Sequence, residues 1–219
     1  MTPAQAHKQQ ILAEKAAKNG ENIHVAEPYR RLLASLNTDR AFLHQIKSVS
    51  DKIQAKKGMV EKYLPWLEDV YLSGSAAETD PVFTTALLWL IDIGELDQAV
   101  PYILFAIEHD MKVKDDYRRD LTDLLIEELA EQYGYGADLS KANHTDLLTL
   151  ISTVNPDTGM HTLNLTDIIR AKFYKASGER AEEAEDLESA ASYYENALKY
   201  SEKIGVKSRL AAIKKQLKG

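Results

Sequence analysis

Six acidic residues, Asp92, Glu95, Asp97, Asp110, Asp115 and Asp116, lie in one short span and are the sequence's nearest approach to catalytic chemistry. A two-metal nuclease needs several carboxylates converging on divalent ions that clamp the attacking and leaving oxygens of a phosphodiester. The spacing offers each acid a plainer role. Asp92, Glu95 and Asp97 surround Gly94, where acids solvate a turn and cap the next helix, and Asp115-Asp116 would open another. His7, His24, His44, His109, His144 and His161 include no pair four apart, so no histidine metal site is read. Neither Gly-x-x-x-x-Gly-Lys-Ser/Thr nor Gly-x-Ser-x-Gly occurs, and cysteine is absent. That leaves no support for an ATPase, a serine hydrolase, a cysteine nucleophile or a thiolate zinc site. No catalytic residue, metal or cofactor is assigned.

The cations suggest different chemistry. The net charge of -7 is segregated: residues 1–62 hold 11 Lys/Arg against 6 Asp/Glu, residues 63–163 hold 5 against 19, and residues 164–219 hold 11 against 9. In the first segment Lys8, Lys15, Lys18, Arg30, Arg31, Arg40, Lys47, Lys52, Lys56 and Lys57 are candidates to neutralise phosphates and make binding steeply salt-dependent. Only Tyr29 and Phe42 precede Tyr63, too few aromatics for a stacking platform, so duplex DNA suits this segment better than a single strand.

The elements that must position these groups read as helices throughout. Thr2, Pro3 and Gln5 form a capping box for a first helix to about Lys18, closed by Asn19-Gly20. A second helix is expected over Glu27 to Leu36. Asn37, Thr38 and Asp39 then read as caps opening a third, on which Phe42, Ile46, Val49 and Ile53 make a narrow apolar seam at 4-3-4 spacing. That seam suits a contact between subunits or the chain's own core.

Beyond Tyr63-Leu-Pro-Trp66 comes the apolar centre, a helical hairpin over residues 87–111 that turns at Gly94, preceded by the cap Asp80-Pro81. Its Trp89, Gly94, Ala99 and Ala106, with Trp66, are core or oligomer candidates. A helix from about Tyr117 to Tyr133 carries Arg118 and Arg119 in its first turn, against the macrodipole. A shorter one is expected from Thr145 to Thr153, before the turn Asn155-Pro-Asp-Thr-Gly159.

The last segment reads as three helices, the first two with Tyr174, Gly178, Ala190, Tyr194 and Ala197 at tetratricopeptide-like spacing and the last basic from Val206 to Lys218. Gly94 to Ala99 recurs 91 residues later as Glu185 to Ala190, with Ile103 and Ala106 matching Tyr194 and Ala197. Two such copies indicate a shared way of packing a helical hairpin. The expected fold is all-α: a basic helical N-terminal region over residues 1–62, an acidic core with a central hairpin over residues 63–163, and a C-terminal helical pair with a basic helix over residues 164–219. No apolar run of about 18 residues is present, and the first residues lack a signal-peptide core, so a cytoplasmic protein without membrane partners is expected.

The chain also resembles the small terminase subunits of temperate, contractile-tailed phages. The resemblance rests on Thr2-Pro-Ala-Gln-Ala-His7, Leu64-Pro-Trp66, Leu88-Trp89 with Asp92, Gly94, Ala99 and Ala106, Arg118-Arg119, and Gly205-Val-Lys207 before the basic final helix. Ala6 departs from it, standing where related openings carry Arg, and no long basic tail follows. The resemblance implies a non-catalytic subunit in the host bacterial cytoplasm that recognises the packaging-initiation site on concatemeric double-stranded viral DNA. It further implies a ring-like homo-oligomer and a large terminase subunit as partner, which carries the ATPase and nuclease. From the residues alone, a helical-repeat adaptor that binds protein and a metal-dependent endonuclease stand as alternatives.

Overall fold

Capping side chains and glycines set where the helices begin and end in the computed structural model, which describes residues 27–113 and 120–218. Ten helices and no strands occur among the described residues: α1 Glu27–Gln45, α2 Val49–Val60, α3 Leu64–Ser73, α4 Pro81–Asp92, α5 Leu96–Glu108, α6 Leu121–Gly134, α7 Lys141–Ser152, α8 Asp167–Glu183, α9 Leu187–Tyr200 and α10 Lys207–Gln216. None of them is long and apolar enough to cross a membrane. The expected helix from Thr2 to Lys18, with Lys8, Lys15 and Lys18, lies outside the described residues, as do Asp115, Asp116, Arg118 and Arg119. The described residues form two packing units, one of residues 27–93, 98–113 and 120–121 and the other of residues 94–97 and 122–218.

The first unit corrects the expected break at residues 37–39. Helix α1 runs unbroken through it to Gln45. Thr38 donates its hydroxyl back to Ala34 O at 3.0 Å, within the helix, and Asp39 accepts from Tyr63 Oη at 2.6 Å and pairs with Lys62. Neither side chain is therefore available as a cap. The break falls at residues 46–48 instead, where Ser48 Oγ accepts from Asp51 N and starts α2. The expected seam is thus split between two helices. Phe42 and Val49 are 52% and 71% exposed, while Ile46 and Ile53 are half-buried.

Helices α1, α2 and α3 all pack on α4. The cap Asp80 holds this arrangement, fully buried at the positive end of α4. Its Oδ1 accepts from Val82 N, Phe83 N and Tyr29 Oη at 3.0, 3.1 and 3.1 Å, and its Oδ2 from Trp66 Nε1 at 2.8 Å. One carboxylate thereby joins α1, α3 and α4. Trp66 and Trp89 are buried, Tyr29 lies against Trp66 at 5.0 Å, and Tyr63 meets Trp89 edge-on at 5.8 Å. Phe83 on α4 contacts Tyr102 and Phe105 on α5, closing the hairpin, with Ala99, Ile103 and Ala106 buried.

The second unit is built on α8 and α9. A Cβ at Gly178 would lie 2.5 Å from Tyr194 Cε1, so only glycine lets the ring pass, and Tyr194 is fully buried. Helix α6 joins α8 through Lys172, which reaches Glu127 at 2.5 Å and Glu131 at 2.9 Å. Pro101 in α5 has no N–H to give the carbonyl four residues back, and Asn143 Nδ2 donates to that carbonyl, Asp97 O, at 3.2 Å.

The echo between the hairpins is geometric. At the first turn Ile93 has φ -88° and ψ 0°, its N–H bonds Trp89 O, and Gly94 follows with φ +84°. At the second, Ala184 has φ -82° and ψ 5°, its N–H bonds Arg180 O, and Glu185 follows with φ +60°. Both are left-handed exits from a helix, the second made without glycine.

Candidate nucleic-acid interface

A phosphate-binding surface needs cations that are exposed and not already paired. Arg30, Arg40, Lys47 and Lys57 are exposed and Lys52 is half-exposed, and none of the five is paired with an acid among the described residues. Arg31 pairs with Glu27 at 3.3 Å, yet its side chain is 79% exposed and still within reach of a ligand. Lys56 differs. It turns inward to Asp92 at the end of α4 and fastens α2 to the core, with only 18% of its side chain exposed.

The buried side of α1, marked by Tyr29, Leu36, Asp39 and Leu43, decides which flank it presents. Arg30, Leu33, Asn37, Arg40 and His44 follow one another at 3-4-3-4 spacing and so share one flank, on which all but half-buried Leu33 are exposed. Asn37 and His44 were not among the sequence candidates, because Asn37 read as a cap. The repeat from Arg30 to His44 was the signal that finds them. Lys47 extends this surface into the turn between α1 and α2.

The described acids of the nuclease alternative are engaged elsewhere or exposed. Asp92 is paired with Lys56, and Glu95 is exposed. Asp97 Oδ1 accepts from Ser140 N at 2.7 Å and Asn143 Nδ2 at 2.8 Å, at the start of α7. Burial raises the Asp97 carboxyl, but these hydrogen bonds outweigh it and hold the group below the ordinary aspartate value. Asp110 sits at φ +47° beside Lys112. Among the described residues no three His, Asp or Glu side chains gather closely enough to hold a metal ion.

The second unit offers an open groove of about 660 Å³ lined by Tyr133, His144, Tyr193 and Arg180 among others. His144 stacks on Phe173 at 5.7 Å, and its Nε2 faces Ser177 Oγ at 2.9 Å. Ser177 gives its own hydroxyl proton to Phe173 O, so His144 is the donor and carries its proton on Nε2.

Comparison with known proteins agrees with the resemblance read from the residues. The family model described as "Phage small terminase subunit" matches residues 33–162, which takes in the exposed flank of α1 from Leu33, the turn at Lys47 and the whole of the α4–α5 hairpin. Among curated proteins, the "Terminase, endonuclease subunit" of Escherichia phage P2 is 24% identical over 222 residues, covering 99% of this chain and 86% of that protein. No solved structure matches.

Proposed function

We propose, from the premise that this chain belongs to the phage small terminase subunit family, that its basic N-terminal region over residues 1–62 binds double-stranded viral DNA at the packaging-initiation site. The family's role is in phage DNA packaging. In the proposed mechanism, the bound chain assembles into a ring-like homo-oligomer and passes the DNA to a large terminase subunit that supplies ATPase and nuclease. The observation that carries this reading is the exposed basic flank of α1, without acidic partners among the described residues, with Lys47 beyond it. Arg30 and Arg40 are ten residues apart, about 15 Å along the helix, so they can reach phosphates on the two edges of a major groove about 12 Å wide. Asn37 lies between them on the same flank, with a side chain suited to pairing with adenine.

Assembly is supported by the exposed Phe42 and Val49, and by Leu72, 70% exposed on α3. Apolar side chains at such positions are shielded from water in a subunit interface. The name of the P2 relative assigns that protein to an endonuclease. For this chain, the engagement of Asp92 by Lys56 and of Asp97 by Ser140 and Asn143 favours a subunit that directs cutting by its partner. A protein-binding adaptor is the second reading, favoured by the groove beside His144.

The test is a fluorescence anisotropy titration of duplex DNA from the viral genome ends at several salt concentrations. Replacing Arg30, Arg40 and Lys47 together by Ala should weaken binding and lower the slope of log K against log salt by about 0.9 for each phosphate that is no longer neutralised. Unchanged affinity and slope would remove these residues from the interface.

A further inference from the structure

Of the three cap-type residues near the centre of α1, the fold uses two. Thr38 bonds back to Ala34 O, and Asp39 accepts from Tyr63 and pairs with Lys62. Asn37 is exposed, and among the described residues its side chain makes no hydrogen bond. Asparagine is a poor residue for a helix interior, because its amide competes with the backbone and finds its use at caps and turns. Within a 19-residue helix that runs through it, Asn37 caps nothing. A polar side chain that weakens its helix and serves no contact in its own chain is open to a ligand.

The flank it shares narrows the class of ligand. Arg30 and Arg40 carry donors only, Leu33 carries neither donor nor acceptor, and the two ring nitrogens of His44 diverge. Asn37 alone sets a donor beside an acceptor in one plane. In the major groove only adenine presents the matching pair, an N6 amino group beside the N7 acceptor. Guanine shows two acceptors, cytosine a donor, and thymine an acceptor with its 5-methyl group. Leu33 is half-buried one helical turn before Asn37, roughly 6 Å along the axis, and adjacent base pairs are stacked about 3.4 Å apart. Its apolar side chain therefore falls over a neighbouring pair, where a thymine methyl is the apolar group on offer. Phe42 lies about 140° round α1 from Asn37, so the side chain proposed for assembly is on another face.

We propose that Asn37 gives α1 its base preference, bonding N6 and N7 of an adenine in the major groove with Leu33 against the methyl of a neighbouring thymine. This rests on the reading of α1 as a DNA-contacting helix and adds a division of labour to it. Arg30, Arg40 and Lys47 contact phosphates of any sequence, whereas Asn37 and Leu33 discriminate between sequences.

The full-length protein is titrated by fluorescence anisotropy against three forms of the duplex from the viral genome ends. One is unmodified. One carries 7-deazaadenine for every adenine, which lacks the N7 acceptor but still pairs with thymine, and one carries uracil for every thymine, which lacks only the methyl. Wild type should bind both altered duplexes about fivefold or more weakly than the unmodified one. Asn37→Ala suits the helix better and should melt no lower than wild type. It should bind the unmodified duplex no better than the 7-deazaadenine duplex, and keep the wild-type salt slope because no phosphate contact is lost. Leu33→Ala should lose only the distinction between thymine and uracil. With the triple variant of Arg30, Arg40 and Lys47 still weakened, a wild type indifferent to 7-deazaadenine, or an Asn37→Ala protein that keeps the adenine preference, would overturn the assignment while leaving α1 on DNA. A triple variant that binds as tightly as wild type would instead overturn the reading on which the assignment rests.

Discussion

At the scale of single residues, close approach and burial set the energies. Gly178 was legible as a small residue at a tetratricopeptide-like position, but the ring that requires it was not. Tyr194 reaches it from the next helix and is pinned through its hydroxyl to Glu182 at 2.8 Å. Gly178→Ala gains about 1 kcal/mol in helix propensity and meets an overpacking cost of about 1–3 kcal/mol. A net loss of stability in urea denaturation is expected. His144 gives a pH effect of definite sign, because burial among Phe173, Tyr133 and Tyr193 pushes it below the ordinary histidine value. The unfolded chain takes up that proton near pH 6.5, the native chain only at lower pH. The stabilising contribution is therefore complete above about pH 6.5 and is lost as pH falls from there through the native value. Replacing His144 by Gln should flatten the pH dependence of the melting temperature across that window. An equally steep profile in the variant would place the titrating group elsewhere. Asp80 shows where sequence reading stops at this scale: its cap to α4 followed from Asp-Pro, whereas its bonds to Tyr29 and Trp66 depend on residues 51 and 14 positions away.

Among the elements, local signals placed most helices, and failures arose where a polar side chain had a tertiary use. Asn37-Thr38-Asp39 has cap composition, but Asp39 is engaged by Tyr63 and Lys62, so α1 continues through it and carries its basic flank to His44. The matching turns at Gly94 and Glu185 were legible as a repeat, because left-handed exits depend on a few adjacent residues. Their difference can be tested. An added Cβ at Gly94 would meet only Ala137 Cβ at 3.6 Å, so Gly94→Ala should cost about 1 kcal/mol through backbone strain alone. Glu185→Gly relieves a left-handed residue that has a side chain and should gain about 0.5–1 kcal/mol. Opposite signs in chemical denaturation are expected, and equal signs would mean that the two turns do not share their energetics.

Over the whole molecule, charge and packing follow different boundaries. Helices α1 and α2 belong to the basic stretch by composition, yet they pack on the apolar α4 of the acidic stretch, through contacts such as Lys56 with Asp92. Composition along the chain could show the charge asymmetry, but it could not show which cations a tertiary partner withdraws. The groove beside His144 was hidden for the same reason, since it arises from residues brought together by α8 and its neighbours. DNA binding and assembly are the joint core of the proposed function, and they are tested together by light-scattering mass determination in solution, with and without duplex DNA from the viral genome ends. A mass that is a multiple of the 24.6 kDa chain, and that rises by the mass of bound duplex, is the expected result. A single 24.6 kDa species whose mass is unchanged by the DNA would contradict it.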